Sequence, residues 1–128
     1  MTHALIVDDN RSNIDALTAL LQREGVDCTS VVSPHQLYAA LQGINPVDVV
    51  FLDLEFPNDS GFDLLAELRE QAVLQGAPII AYTVHTSEVV VAQDAGFDGF
   101  IGKPLSVQLY PQQLRSILSG EPVWYVPE

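Results

Sequence analysis

Five reactive side chains stand where apolar segments of this sequence end: the adjacent Asp8 and Asp9, then Asp53, Thr83 and Lys103. ALIV runs into Asp8-Asp9, VDVVFL into Asp53, PIIAYT closes on Thr83, and GFIG leads into Lys103-Pro104. Carboxylates about 4 Å apart repel by roughly 4 kcal/mol per pair at an effective dielectric of about 20, so three of them together need cationic compensation. A divalent cation supplies it, and an oxygen-only, partly open site suits magnesium, which binds through one or two carboxylates, retained waters and phosphate. The reaction class implied is phosphoryl transfer, with a carboxylate as nucleophile and the cation and Lys103 neutralising the transferring oxygens. Asp53 is the candidate nucleophile because it ends the most apolar segment. Asp8 and Asp9, side by side, are free to share a metal, and Thr83 would donate its hydroxyl to a phosphoryl oxygen. Lys103 is the chain's only lysine; the other cations are Arg11, Arg23, Arg69 and Arg115.

These residues can meet only if the segments before them run side by side in one direction. Candidate strands cover 4–7, 27–32, 47–52, 78–83 and 99–102, and three are apolar nearly throughout, as in parallel strands covered on both faces. Between them lie helical patterns. Ile14, Leu17 and Leu21 form one stripe, closed by Gly25. A second helix fits 34–41, with Ser33 as N-cap and Pro34 at its first position. The third carries Leu65, Leu68 and Ala72, with Gly76 as stop. The fourth, 87–95, is expected to be short and labile because Val89, Val90 and Val91 are consecutive β-branched residues. The fifth, 106–118, contains Pro111, which either kinks it or marks its true first turn. Strand and helix in alternation predict an α/β fold, a doubly wound five-stranded parallel sheet with helices on both faces. In such sheets ligands bind beyond the C-terminal strand ends, where the five reactive residues lie.

The composition agrees with a single globular domain: hydrophobic residues make up 48% and charged residues 17%. Residues 1–120 are expected to form that domain and 121–128, EPVWYVPE, an aromatic tail. Seventeen acidic against five basic residues give a net charge of -12, which repels nucleic acid and anionic lipid. No apolar run reaches the roughly 20 residues of a membrane span. One cysteine, Cys28, excludes an intrachain disulfide, and Met1-Thr2-His3-Ala4 lacks the basic and apolar regions of a secretory signal, so a reducing, cytoplasmic setting is expected. His3, His35 and His85 are too scattered for a metal site, and Cys28 reads as a small buried hydrophobe.

Four features in order carry a resemblance over roughly residues 4–118. They are Asp8-Asp9 after the first strand, D-L-E-F-P-N-D-S-G from Asp53 to Gly61, Thr83 closing the fourth strand, and A-G-F-D-G-F-I-G-K-P from Ala95 to Pro104. Together they resemble the receiver domains of two-component response regulators, in particular the stand-alone type. The resemblance implies a flavodoxin-like topology with strand order 2-1-3-4-5. It implies that Asp53 is phosphorylated from a sensor histidine kinase or a histidine phosphotransfer domain. Asp9, Asp53 and the backbone carbonyl of Glu55 would bind Mg2+ directly, with Asp8 through water. Lys103 would pair with Asp53 and then with the phosphoryl group. Thr83 and Phe100 would be the switch pair, the hydroxyl moving to the phosphate while the ring turns inward. Such a module is not an enzyme; it binds a downstream protein target differently once modified. In relatives the face of helix four, strand five and helix five transmits that signal.

Two positions depart from the usual pattern. Glu55, two after Asp53, and His85, two after Thr83, would overhang the phosphoryl pocket and set the acyl phosphate lifetime by controlling the attacking water. The segment from Thr83 to Lys103 is shorter than is common in the family, so the output face is expected to differ. Val123, Trp124, Tyr125 and Val126 are costly to leave in water, and the tail should dock on its own domain, on a second copy or on a partner. A homodimer through the tail or the helix four, strand five, helix five face is one such arrangement. Two further functions compete: a phosphatase with an aspartyl nucleophile, and a non-phosphorylated receiver-like interaction scaffold. A phosphatase of that kind would place a second aspartate where Glu55 stands, and a degenerate scaffold would have lost an Asp or the Lys. Flavin binding is set aside, because Asp8-Asp9 would repel the flavin phosphate.

Overall fold

Strands β3 (Val49–Leu52) and β4 (Ile79–Thr83) are buried at every position, so neither has a face to turn to water. Such strands are stable only between two layers of helices. The computed structural model, which describes residues 2–44, 46–56 and 60–127, places them at the centre of a parallel sheet. They are flanked by β1 (His3–Val7), β2 (Asp27–Val31) and β5 (Gly99–Gly102), in the order β2-β1-β3-β4-β5. A sixth strand, β6 (Trp124–Tyr125), joins beyond β5. The predicted doubly wound order therefore holds, extended by one strand that the five-strand reading left in the tail.

Helices α1 (Arg11–Arg23) and α5 (Tyr110–Leu118) cover one face, packing Leu17, Leu21, Leu114 and Ile117 against Ile6, Phe51 and Ile101. Helices α2 (Leu37–Leu41), α3 (Gly61–Arg69) and α4 (Val89–Ala95) cover the other, packing Leu41, Leu68 and Ala92 against Val50, Ala81 and Phe100. Sheet residues alternate between these two cores along each strand, as the pleat requires.

Several boundaries differ from the expectation, each for a local reason. The predicted second helix begins as a 3-10 turn, Pro34–Gln36, with the Ser33 hydroxyl accepting from the His35 N–H at 3.3 Å. The third does not run to Gly76. It stops at Arg69, Gln71 turns extended, and a 3-10 turn at Ala72–Leu74 buries Leu74 and leaves Ala72 in solvent. The fourth starts as a 3-10 turn at Thr86–Glu88, and its helical part spans only seven residues. The fifth begins at Tyr110 and not at 106, and Pro111 sits in its first turn, where no N–H is needed. Cys28 is half-buried, not enclosed, and burial pushes its thiol up to about 11, so it stays protonated. The tail docks on its own domain: the Phe100 N–H donates to the Val123 carbonyl at 2.7 Å, and Trp124 and Tyr125 pair with Phe100 and Ile101.

Candidate functional site

Strand pairing sets the site. Val7 is level with Leu52, so Asp8 and Asp53 emerge one step later from neighbouring strands on the same side of the pleat. Their backbones are anchored there: the Asp53 N–H donates to Val7 at 2.9 Å and the Asp8 N–H to Val31 at 3.1 Å. Lys103 follows β5 with the parity of Ile101, which also points to the α1/α5 side, and its N–H donates to Thr83 at 2.8 Å. Two-residue periodicity therefore directs Asp8, Asp53 and Lys103 toward one another, although 95 positions separate Lys103 from Asp8. Gly61 lets the next element close over this end: a Cβ there would meet the Asp53 carbonyl oxygen at 2.5 Å.

The Lys103 ammonium lies 2.9 Å from Asp8 Oδ2 and 3.7 Å from Asp53 Oδ2. The ammonium thus pairs with Asp53, as the resemblance implied, and lies closer still to Asp8. Asp8 is wholly enclosed, whereas Asp9, the next residue, faces solvent, so it is Asp8 that the cation meets inside the site. Burial opposes ionisation of Asp8, but the N–H of Asn10, at 2.9 Å from Oδ1, and the Lys103 ammonium outweigh it and hold the carboxyl below its usual value. Asp53 goes the other way. Burial pushes its carboxyl up to about 6; Lys103 offsets part of this and the Asp8 charge adds to it. The Glu55 N–H donates weakly to Asp53 Oδ1, at 3.3 Å.

Among the described residues, Asp8, Asp9 and Asp53 bring carboxylate oxygens within 4.8 Å of one another. An oxygen-only donor set of this size, enclosed at Asp8 and open at Asp9, fits a hard divalent cation of the magnesium type. Asp9, Asp53, Glu55, Thr83, His85 and Lys103 line a cleft of about 390 Å³. Glu55 and His85 meet across its mouth, with Nε2 2.8 Å from Oε2, so the two overhanging positions roof the cleft as one pair. Thr83 is buried, and its hydroxyl oxygen accepts from the His85 N–H at 3.2 Å. Thr83 lies level with Gly102 and shares a sheet face with the fully buried Phe100, on the α3/α4 side. Of the D-L-E-F-P-N-D-S-G stretch, Pro57, Asn58 and Asp59 lie outside the described residues.

Sequence reasoning overlooked two neighbours. Asn10 caps α1 with its side chain, accepting from the Asn13 N–H at 3.1 Å, while its own N–H serves Asp8. Tyr82 presents its ring to Lys103, with Nζ 4.1 Å from the centroid. The signal for Tyr82 was parity: it is level with Ile101, two before Lys103.

Comparison with known proteins bears on this cleft. Residues 4–115 match the family described as Response regulator receiver domain. The chain is 34% identical to the sensory transduction protein RegX3 of Mycobacterium tuberculosis, over 92% of this chain and 51% of that protein. It thus spans about half the length of the curated relatives it matches. Among solved structures, the chemotaxis response regulator CheY4 of Vibrio cholerae superposes with a TM-score of 0.78 at 24% identity, covering 91% of this chain and 98% of that one. The receiver domain of the sensor histidine kinase PA1611 of Pseudomonas aeruginosa, which has a magnesium ion coordinated in its active site cleft, superposes with a TM-score of 0.76 at 23% identity, covering 92% and 98%.

Proposed function

The chain belongs to the response regulator receiver domain family, and from that premise we propose that it is the phospho-accepting module of a two-component phosphorelay, with Asp53 as acceptor. The observation that carries this reading is the Asp8–Lys103–Asp53 cluster at the bottom of an open cleft. A carboxylate oxygen of Asp53 attacks the phosphorus of a phosphohistidine. The O–P bond forms as the P–N bond breaks, and the electron pair returns to the imidazole nitrogen, which takes up a proton.

Asp9, Asp53 and the backbone carbonyl of Glu55 would hold Mg2+ directly, with Asp8 through a water. When bound, the ion supplies neutralisation of charge on the transferring oxygens. Lys103 then needs only a short shift from Asp8 to reach the phosphoryl oxygens. The Thr83 hydroxyl donates to one of those oxygens, pulling on the turn that follows β4. Phe100 already occupies the inward position, so the pair is completed by movement of Thr83. The Glu55–His85 roof controls entry of the water that hydrolyses the acyl phosphate.

The donor is a sensor histidine kinase or a histidine phosphotransfer domain in the cytoplasm, and the readout is altered binding to a downstream protein. The chain acts as an acceptor and not as an enzyme turning over small phosphate esters. Self-association through the α4, β5, α5 side would be built on β6, which occupies the outer edge of β5.

Incubation with acetyl phosphate and Mg2+, followed by intact mass and site mapping, tests the reading. A labile phosphoryl adduct on Asp53, absent in Asp53→Asn, is the expected result. An unmodified Asp53 under these conditions overturns it, and turnover of a small phosphate ester would favour an aspartyl phosphatase.

A further inference from the structure

We propose that Tyr82 is a positioning residue for Lys103: its ring holds the ammonium between the two carboxylates, where it can turn to the phosphoryl group. The proposal rests on the phosphoacceptor reading of Asp53 and adds to it a residue outside the carboxylates, lysine and threonine already placed there.

Three observations carry it. The Lys103 side chain is 8% exposed, and its Nζ stands 4.1 Å from the Tyr82 ring centroid, well inside the range of a cation–π contact that strengthens on desolvation. With carboxylates at 2.9 and 3.7 Å, the ammonium is thus bounded on a third side by an aromatic face. The ring is itself held: Phe51 packs edge-on at 6.5 Å between centroids and 72° between planes. Phe51 lies on β3, two residues before Asp53, so the strand that leads to the acceptor also backs the Tyr82 ring.

Because Lys103 is the chain's only lysine, its side-chain NMR signals are unique and need no dispersion from others. In the wild type the Lys103 ε-methylene protons are expected upfield of free lysine through the ring current of Tyr82. The shift should persist in Tyr82→Phe and vanish in Tyr82→Leu. At saturating Mg2+, the rate of Asp53 modification by acetyl phosphate is expected to fall about tenfold in Tyr82→Leu, the size of a desolvated cation–π contact, and to stay within about twofold of wild type in Tyr82→Phe, which keeps the ring. Magnesium affinity of the folded variants should stay within about twofold, because no ligand is altered.

A wild-type Lys103 signal at the free-lysine position overturns the proposal without any variant, as does a folded Tyr82→Leu protein modified at the wild-type rate. Should Tyr82→Leu not fold, Tyr82→Met carries the same comparison. Failure of the wild type to be modified at Asp53 strikes the phosphoacceptor reading itself, whereas modification that is insensitive to Tyr82 strikes only this role.

Discussion

Ionising Asp53 costs the folded chain free energy, because the carboxyl is buried and its pKa stands near 6 against an ordinary value of 3.8. A carboxyl raised on folding stabilises most at pH below its unfolded pKa, and that stability is lost as pH rises through the folded pKa. Between about pH 4 and 6 the wild type should therefore lose roughly 2 to 3 kcal/mol from this group. Asp53→Asn is expected to melt higher than wild type at pH 7.5, with the gap closing toward pH 4, measured by thermal denaturation in chelator. Magnesium should narrow the gap by stabilising the wild type alone. Asp8 has the opposite sign: its depressed pKa makes its contribution present at neutral pH and lost in acid. At the cleft mouth, the Glu55 and His85 side chains are 58% and 45% exposed. Exposed pairs contribute little, about 0.2 to 1 kcal/mol, so Glu55→Ala and His85→Ala should leave the melting temperature nearly unchanged. Each should instead shorten the acyl phosphate lifetime by opening the roof to water, and an unchanged dephosphorylation rate in both would remove that role. The identity of these residues could be read from strand ends. That Lys103 lies closer to Asp8 than to Asp53 could not, because it depends on a difference of under an ångström between two neighbouring strands.

At the scale of elements, α4 is short and poor in helix propensity. Its seven residues are too few to be stable on propensity, and Val90 and Val91 are 59% and 54% exposed, so their bulk is not used in packing. Replacing both by alanine should stabilise the protein by about 0.5 to 1 kcal/mol through helix propensity, read as a rise in denaturation midpoint at constant slope. The same change at Val89, which packs against the core, should be neutral or destabilising. The valine run made this helix's shortness readable in advance. The early end of α3 was not readable, since Leu65, Leu68 and Ala72 fit a helical stripe and only the docking of Leu74 breaks it.

At the scale of the molecule, the tail closes the sheet. β6 sits against β5 because two positions there lack a side chain. A Cβ at Gly99 would come 2.9 Å from the Val123 carbonyl and from Ile80, and one at Gly102 would come 2.6 Å from Pro127 and 2.7 Å from Thr86. Trp124 packs into the α3/α4 core and Val123 and Tyr125 into the α1/α5 core, so the tail serves both layers. Deleting 121–128 should therefore cost about 2 kcal/mol or more in denaturant unfolding, and Gly99→Val should lose part of the same stability with the tail present. A deletion without effect on stability would show that β6 contributes nothing to the fold.

The parallel sheet and the placing of Asp8, Asp53, Thr83 and Lys103 at its strand ends were legible in one dimension, because apolar runs that stop at those residues read as strands buried on both faces, and the strand order followed from the family resemblance. The partner of Lys103, the ring of Tyr82 beneath it and the seat of Trp124 beside Phe100 were decided only in three dimensions. Each depends on distances between side chains far apart in the chain, and those distances are set by register, twist and packing that no local pattern encodes.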